Sequence, residues 1–312
     1  MRIIKGLKNL RSIRKSCVTI GVFDGVHIGH RKIIGKVVEA AKRVKLSSVV
    51  LTFDQHPLNI LNTKSRVPSL ISLKHRIKLI EELGVAYLVV LNFTKSFSRI
   101  PPEKFVRDIL IKKIGAKIIY TGHDFYFGKA AEAGPELLKK LSFKLGFKAE
   151  IVKPVKVRGR VVSSSAIRDY ISKGELEKAQ ALLGRPVSIL GTVVKGTGLA
   201  RHLGYPTANV NPHHETIPPT GVYAVRIKFG SRRFNGVLNI GTRPTFYSPT
   251  DLEPSIEVHI FNFVGDIYGK DIEVLFVKKI REERKFKVIA GLVSEIKADE
   301  KKALQILKHV LI

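Results

Sequence analysis

Residues 19–30 constrain the fold more than any other stretch, because they combine a strand, a glycine-containing turn and a helix start. The residues before Gly21 are mostly apolar and β-prone, whereas after His30 the apolar residues recur with helical spacing. Gly21 and Gly25 permit backbone conformations that a side chain would block, and they allow a ligand to approach closely. The free N–H groups and the positive end of a helix favour phosphate, so this turn predicts an anion site.

His27 and His30 place two imidazoles on the rim of this turn, where each can donate to a phosphate oxygen without a permanent charge. A strand-to-helix turn with two surface histidines is the simpler alternative. The coincidence of both imidazoles with a glycine turn behind an apolar strand favours nucleotide chemistry, with His27 and His30 as catalytic groups. The segment resembles the H-x-G-H signature of the nucleotidyltransferase superfamily. The candidate nucleotide-binding residues of the turn are Gly21, Phe23, Asp24 and Gly25.

A chain of 312 residues is long for one compact domain, so we expect two. The single cysteine, Cys17, excludes a disulfide within the chain and predicts a reducing, cytoplasmic environment. The sequence shows no signal peptide and no run of ~20 apolar residues, so no membrane association is expected. The net charge of +29 suits anionic nucleotides as well as nucleic acid. Because no arginine-rich tail or aromatic-basic repeat is present, no nucleic-acid partner is expected.

Strands and helices alternate from the turn to about residue 152, which predicts a parallel sheet covered by helices on both faces. Further strands are predicted at 48–53, 85–91, 117–121 and 147–152, and helices at 73–83, 101–114 and 135–145. Pro57 is expected to stop regular structure after the second strand. Ligands of such sheets bind beyond the carboxyl ends of the strands, so we expect residues 27–30, 54–57 and 122–128 to meet.

A helix stop at Gly184, followed by Pro186, separates two hydrophobic periods. Beyond it the period is two, and a closed antiparallel barrel is predicted from strands at 187–194, 222–229, 232–240, 255–263 and 272–280. Residues 288–312 predict a terminal helix, with Leu304 among the apolar residues that pack on the barrel. The fold class is therefore α/β plus β, with an α/β domain at residues 1–184 and a barrel domain at residues 185–312.

Two further groups of residues suggest phosphate chemistry. Ser164 and Arg168 lie at a serine-rich helix start, where a guanidinium and the cap N–H groups can serve one phosphate chain. An ordinary capped helix with a surface arginine is the alternative. Thr207 and Asn209 alternate by two and face one side of an extended segment. Their oxygens can hold Mg²⁺ together with a nucleotide phosphate, whereas a turn entering an edge strand is the alternative.

Glu257 lies on a strand whose apolar residues Ile256, Val258 and Ile260 alternate with it. Glu257 and His259 therefore point to the opposite face. A carboxylate on that face can accept a proton from a hydroxyl nucleophile. The pattern by itself favours a solvent-facing glutamate on an amphipathic strand.

Taken together, the motifs of both halves resemble bacterial bifunctional riboflavin kinase/FMN adenylyltransferases (FAD synthetases) along nearly the whole chain. The matching segments in the first half are G-V-F-D-G-V-H-I-G-H at 21–30, L-T-F-D-Q-H-P at 51–57, G-H-D-F-Y-F-G at 122–128, S-S-S-A-I-R at 163–168 and L-L-G-R-P at 182–186. Those in the second half are L-G-Y-P-T-A-N at 203–209, N-I-G-T-R-P-T-F at 239–246, E-V-H-I-F at 257–261 and I-R-E-E-R-K-F at 280–286. The order and spacing of these segments are typical of the family.

The resemblance implies a Rossmann-like N-terminal adenylyltransferase, a C-terminal riboflavin kinase barrel, and riboflavin, FMN and ATP as substrates. It implies that His27 and His30 contact the ATP phosphates and that Asp124 lies in a loop that helps position ATP. It also implies that Ser164 and Arg168 lie in the phosphate-binding signature, with Arg168 as a further catalytic residue. In the kinase, it implies that Thr207 and Asn209 bind Mg²⁺ and ATP and that Glu257 is the general base. The other nucleotide-binding candidates in this half are Gly196, Gly204, Pro206 and Arg281.

Two positions depart from the family pattern. The family often has an arginine shortly after F-x-F-G, where this chain has Ala130 and Ala131, and it often has aspartate where this chain has Asn262. The main alternative function is another H-x-G-H nucleotidyltransferase that acts on a different phosphorylated metabolite or on RNA. A non-enzymatic flavin-binding module is a third possibility, but it leaves His27, His30 and Glu257 without a role.

Overall fold

The computed structural model describes residues 1–10, 13–62, 66–129, 132–196, 204–214, 216–244, 252–284 and 288–310. Ala130 and Ala131 lie outside these ranges. The chain divides into two compact units, Met1–Ser164 and Ser165–Ile312. This division precedes the domain boundary predicted after Gly184, which remains a prediction.

The first unit is built on a six-stranded parallel sheet with the strand order β1-β4-β3-β2-β5-β6. The strands are β1 Arg2–Lys5, β2 Ser16–Ile20, β3 Ser47–Phe53, β4 Tyr87–Leu91, β5 Ala116–Gly122 and β6 Lys148–Val152. The strand β1 was not predicted from the sequence. It is only four residues long, and Ile4 is its one buried residue, so its hydrophobic pattern is weak.

The helices of this unit cover both faces of the sheet, as predicted. They are α1 Ile28–Arg43, α2 Pro57–Leu61, α3 Leu73–Glu81, α4 Pro102–Lys104, which continues as a π-helix over Phe105–Lys113, and α5 Pro135–Leu145. Neighbouring β2 residues belong to different hydrophobic clusters: Cys17 packs with Val37 of α1, whereas Val18 packs in the cluster that contains Phe105. Since successive strand residues face opposite sides, both faces are buried.

Pro57 begins the short helix α2, so the expectation that it stops regular structure was wrong. Proline lacks an N–H donor and has its φ fixed near the helical value, which suits the first turn of a helix. The imidazole of His56 caps this helix by accepting from the Leu58 N–H at 3.3 Å. Helix α3 is capped by Ser72 and ends at Glu81, two residues before the predicted end.

The second unit begins with helices α6 Ser164–Ser172, whose first residue belongs to the first unit, and α7 Leu176–Leu183. A small hairpin, β7 Lys156–Val157 and β8 Arg160–Val161, precedes them. The predicted barrel is closed, in the order β10-β13-β12-β11-β14-β9. Its strands are β9 Ser188–Val194, β10 Ala208–Pro212, β11 Gly221–Phe229, β12 Arg232–Pro244, β13 Leu252–Ile260 and β14 Asp271–Arg281. The segment after Thr207 is thus paired on both sides and is not an edge strand.

A terminal helix, α8 Ile289–His309, packs on the barrel through Ala303 and Leu307. Leu304, which was expected to pack, is 46% exposed because it lies on the outer side of this helix. Arg226 of β11 donates to the carbonyls of Leu307 and Val310 and so satisfies the C-terminal end of α8. The helix is therefore held at its end as well as along its apolar face.

Candidate functional site

The turn after β2 has an unusual backbone. Phe23, Gly25 and Val26 have φ values of 51°, 82° and 40°, and left-handed φ is rare for phenylalanine and a β-branched residue. The Phe23 ring lies 3.1 Å from the position that a Cβ on Gly21 would occupy. The Phe23 ring therefore occupies the space beside Gly21, which favours glycine at this position. Whether Gly21 also lets a ligand approach closely stays a prediction. Strained turns of this kind cluster at binding sites.

His27 and His30 form one unit at the start of α1. The backbone N–H of His30 donates to Nδ1 of His27 at 3.3 Å, which makes His27 the N-cap of the helix. The two rings are stacked, with centroids 3.5 Å apart and planes 18° apart. Because Nδ1 of His27 accepts, its proton in the neutral form is on Nε2. The Cβ position of Gly29 lies 3.2 Å from the His27 ring, so a small residue is favoured there.

His30 is held neutral by its surroundings. Burial lowers the pKa of His30 well below its ordinary value of 6.5, and the neighbouring His27 and Arg76 lower it further. Its Nδ1 is buried without a hydrogen-bond partner among the described residues. A neutral imidazole next to a helix N-terminus retains one N–H donor for a phosphate oxygen.

Arg76 is the residue of this site that sequence analysis missed. It is 4% exposed, and its Nη1 lies 2.6 Å from the carbonyl oxygen of Val22 and 3.0 Å from that of Phe53. It thereby joins the segments that follow β2 and end β3, close enough to His30 to lower the pKa of that imidazole. The available signal was an arginine within the apolar stripe of α3, next to Leu79 and Ile80.

Asp24 organises the turn from within. It is 4% exposed, and its carboxylate accepts from the backbone N–H groups of Leu70 and Ile71 at 3.0 and 3.3 Å. The hydroxyl of Ser164 donates to the Asp24 carbonyl at 2.9 Å, so two predicted site residues are in direct contact. These contacts assign Asp24 a positioning role for the loop that precedes α3.

Asp124 and Arg168 are the remaining predicted residues of the first half. The Asp124 side chain is 77% exposed in the loop after β5. The Cβ position of Gly122, the last residue of β5, is 3.7 Å from Ile33 of α1. That residues 122–128 meet residues 27–30 stays a prediction. Arg168 lies on α6, in the second unit.

The barrel carries a cavity of about 630 Å³ beside the predicted metal ligands. Its lining includes Gly196, Pro206, Thr207 and Asn209, together with the apolar Ile267. A Cβ on Gly196 would lie 2.0 Å from Nδ2 of Asn209, so this glycine leaves the space that the Asn209 amide occupies. Gly204 precedes this segment with a φ of 83°, which favours glycine.

Glu257 lies directly opposite Asn209 in the register of β10 and β13, and opposite Asn239 of β12 on its other side. Directly opposed residues share a face with Cβ atoms about 5 Å apart, so these three side chains form one polar row. Ser255 donates to Oε1 of Glu257 at 3.2 Å. As the alternation predicted, Ile256 and Val258 are buried on the other face. Glu257 itself does not line the described cavity.

Two further residues that the sequence singled out, Arg281 and Asn262, can be explained by their contacts or their backbone conformation. Arg281 donates to Asp299 of α8, with Nη2 and Oδ2 2.7 Å apart, and its Nε lies 3.1 Å from Glu295. It therefore connects β14 to the terminal helix. Asn262 has a φ of 54°, and asparagine is among the few residues that favour this conformation.

The residues around Thr207 fit a magnesium ion that is shared with a substrate phosphate. The hydroxyl and the amide supply neutral oxygen atoms, which are ligands that Mg²⁺ accepts. The space left by Gly196 allows the Asn209 amide to reach this position. Within the described ranges, no group of three or more His, Cys, Asp or Glu side chains is arranged to hold a metal.

Comparison with known proteins matches two successive parts of the chain to two family models, and each part contains one group of candidate residues. Residues 10–166 match the sequence model of FAD synthetase, and residues 183–307 match that of riboflavin kinase. The bifunctional riboflavin kinase/FMN adenylyltransferase of Bacillus subtilis is 38% identical over 295 residues, covering 93% of this chain and 92% of that protein. The chain belongs to this bifunctional family. The resemblance and the fold class predicted from the sequence are confirmed.

Other relatives agree over similar lengths. The bifunctional riboflavin kinase/FMN adenylyltransferases of Buchnera aphidicola (subspecies Schizaphis graminum) and Escherichia coli K12 are 36% and 35% identical, each over 96% of both chains. A crystal structure from Streptococcus pneumoniae, described as a macrolide-efflux protein, aligns with a TM-score of 0.84 at 31% identity, covering 97% of this chain and 99% of that chain. Among the described helices, none is both long and apolar enough to cross a membrane.

The family matches place the candidate residues in separate domains. His27, His30, Asp124 and Ser164 fall in the FAD synthetase match, whereas Thr207, Asn209 and Glu257 fall in the riboflavin kinase match. Arg168 falls between the two matches. The assignment of Arg168 therefore depends on the S-S-S-A-I-R segment at 163–168 alone.

Proposed function

We propose that this chain carries out two consecutive steps of flavin cofactor synthesis, with a functional boundary between residues 184 and 185. Residues 185–312 transfer the γ-phosphoryl group of ATP to riboflavin and give FMN. Residues 1–184 transfer the adenylyl group of a second ATP to FMN and give FAD and pyrophosphate. The observation that supports this best is the presence, in each family domain, of its own group of phosphate-directed residues: the stacked His27 and His30, and the polar row of Asn209 and Glu257.

In the kinase step, Glu257 is the general base. Its carboxylate accepts the proton of the riboflavin 5′-hydroxyl as that oxygen bonds to the γ-phosphorus and the bond to ADP breaks. Ser255 orients the carboxylate through its hydrogen bond to Oε1. The Asn209 amide, opposite Glu257, orients the phosphate end of ATP towards the same face.

Thr207 and Asn209 would hold Mg²⁺ in this step. When bound, the ion would offset the negative charge on the transferring phosphoryl group. The two protein oxygens leave most of its coordination to phosphate and water, as magnesium sites commonly do. Gly196 keeps the Asn209 amide in reach of this position, because a side chain there would occupy the same space.

In the adenylyl step, His27 and His30 stabilise negative charge. A phosphate oxygen of FMN bonds to the α-phosphorus of ATP, the bond to the β-phosphate breaks, and pyrophosphate leaves. Neutral imidazoles that donate to phosphate oxygens help most where charge increases in the transition state. The low pKa of His30, caused by burial and by His27 and Arg76, keeps this residue a neutral donor. Ser164, Arg168 and Asp124 contribute to ATP binding in this proposal.

Riboflavin, FMN and ATP are the partners in this proposal, without nucleic acid. We also propose the cytoplasm as the location, on the basis of the single cysteine Cys17, which is a buried free thiol.

Incubation of the full chain with riboflavin, ATP and Mg²⁺ tests the proposal. We expect FMN to form first, followed by FAD and pyrophosphate, as measured by chromatography of the flavins and a pyrophosphate assay. Replacement of riboflavin by other hydroxyl compounds is the control for substrate class. A preparation that makes neither flavin nucleotide, with oxidised or reduced flavin, contradicts the proposal.

A further inference from the structure

A second concave surface lies at the amino ends of four neighbouring strands in the first unit. Strands β1, β4, β3 and β2 are adjacent in that order and parallel, so their first residues lie along one edge of the sheet. A cavity of about 510 Å³ opens at this edge. His27 and His30 follow the carboxyl end of β2, so the cavity lies at the opposite edge from the proposed adenylyl site. We call it the amino-end pocket.

Four cations line the amino-end pocket, and they come from three different parts of the chain. Arg2 begins β1, Arg14 and Lys15 precede β2, and Lys45 precedes β3. All four side chains are exposed, and none forms an ion pair with any residue that the structure describes. No carboxylate is among the lining residues. Four uncompensated positive charges around one concavity repel one another and create a local potential that attracts anions.

The backbone around these cations is fixed. The N–H of Ser47 donates to the Lys15 carbonyl at 3.1 Å, which joins the segments that carry Lys15 and Lys45. The Ile13 N–H donates to the Lys113 carbonyl at 3.0 Å. The pocket is therefore largely preformed, which lowers the entropic cost of binding.

The floor of the pocket is apolar. Ile4 and Ile13 are each 8% exposed, and the half-buried Tyr87 lies beside them. Asn9 and Ser47 add neutral polar atoms to the lining. Small-molecule sites typically combine a preformed cavity of 300–1,000 Å³ with an apolar lining and a few polar or charged groups. A nucleic-acid backbone would instead need an extended basic stripe.

We propose that the amino-end pocket is a second binding site for a small molecule that carries a phosphate or diphosphate group. The phosphoryl oxygens contact Arg14, Lys15 and Lys45, and the organic part lies on Ile13 and Tyr87. Nucleotides, flavin phosphates and free pyrophosphate share this chemistry. The residues that line it belong to neither proposed active site.

Affinity labelling of the full chain with pyridoxal 5′-phosphate tests this proposal. Its aldehyde condenses with a lysine amine with loss of water, and borohydride reduces the imine to a stable secondary amine. We expect mass spectrometry of peptides to find Lys15 or Lys45 labelled before the exposed Lys36 and Lys140, which lie outside the pocket. Pyrophosphate, AMP and FMN are then added separately as competitors. The compound that protects at the lowest concentration identifies the source of the phosphate.

Substitution of the arginine provides a second measurement. Arg14→Gln removes one cation without changing either lysine that is labelled, and we expect protection to require roughly tenfold more competitor. Lys36→Gln is the matched control and should change nothing. Labelling spread over surface lysines according to their exposure, or labelling that no small phosphate prevents, overturns the proposal. Protection by RNA alone also overturns it, in favour of a nucleic-acid partner.

Discussion

At the scale of single residues, the stacked imidazoles of His27 and His30 determine the charge at the start of α1. The His27 ring stacks on the His30 ring and accepts a hydrogen bond from the His30 backbone N–H. Burial, together with His27 and Arg76, lowers the pKa of His30 and disfavours its protonated form. The neutral imidazole keeps one N–H donor for a phosphate oxygen.

We expect His30→Ala to lower FAD formation by roughly 10²–10³, because it removes a donor that acts on developing charge. FMN should still accumulate, since the kinase step uses the other domain. Time courses of both flavins measure the effect. Adenylylation at the parental rate would leave His30 with a purely structural role.

The same substitution should change how stability depends on pH. The folded pKa of His30 lies below its ordinary value of 6.5, so the unfolded state binds more protons as the pH falls below 6.5. The free energy of unfolding therefore decreases from pH 6.5 downwards, until the pH reaches the folded pKa. We expect His30→Ala to flatten this decrease in denaturant titrations at several pH values. A variant with the parental pH dependence would show that His30 does not cause the decrease.

Glu257 is the residue where the alternation pattern and the structure give different expectations. The alternation alone describes a surface carboxylate, for which Glu257→Gln would be silent. In the structure it lies opposite Asn209 and accepts a hydrogen bond from Ser255, which supports the proposed role of general base. We expect Glu257→Gln to lower FMN formation ~10²–10⁴-fold with folding intact.

A second activity and a control substitution separate loss of the base from a general effect of Glu257→Gln. FAD formation from supplied FMN should persist in Glu257→Gln, because adenylyl transfer belongs to the first domain. Glu300→Gln, on the terminal helix, is the control for loss of a carboxylate. Kinase turnover within a few-fold of the parent would exclude Glu257 as the base.

At the scale of elements, the terminal helix α8 is joined to the barrel by a buried ion pair. Arg281 and Asp299 are 12% and 4% exposed at the side chain, and Glu295 lies on the same arginine. Arg226 satisfies the carbonyls at the other end of the helix. Polar contacts thus fix the rotation of α8, while Ala303 and Leu307 supply its apolar contact.

We expect Asp299→Ala to lower the free energy of unfolding by roughly 1–3 kcal/mol, because the largely buried guanidinium keeps Glu295 but loses its hydrogen bonds to Asp299. Chemical denaturation of the full chain measures this change. Lys301→Gln, an exposed position on the same helix, should stay within about 0.5 kcal/mol of the parent. A similar small change in Asp299→Ala would show that the ion pair contributes little.

At the scale of the whole molecule, the two compact units have different architectures and separate candidate sites. The barrel is closed, so its backbone hydrogen bonds do not depend on the first sheet. We expect a truncated chain that begins at Leu183 to phosphorylate riboflavin and to make no FAD. A longer chain that begins at Ser165, where the second compact unit starts, is the comparison.

Kinase assays together with circular dichroism of both truncated chains measure the result. Activity in both chains supports the boundary after Gly184. A chain from Leu183 that folds but lacks kinase activity contradicts the assignment of the kinase to residues 185–312. If only the chain from Ser165 folds, helices α6 and α7 belong to the kinase domain and the boundary moves.

Much of the fold could be predicted because its signals are local. The alternation around Ile256 and Val258 identified which face of β13 is buried, and the helical spacing after His30 predicted α1. The prediction for Pro57 was wrong because proline can either end regular structure or begin a helix. The sequence around it does not distinguish these two cases, and in the structure Pro57 begins α2. The strand β1 was missed because it has four residues and only Ile4 is buried.

The sequence by itself determined the motifs, their order, and the residue types that can bind phosphate or accept a proton. The tertiary structure decided their neighbours. It brought Arg76 close to His30, Gly196 against Asn209, and Glu257 opposite Asn209, and in each pair the two residues belong to different segments of the chain. Periodicity reports only which face a residue occupies on its own element. Strand register and burial depend on how elements pair, and these fixed the pKa of His30 and the polar row of the barrel.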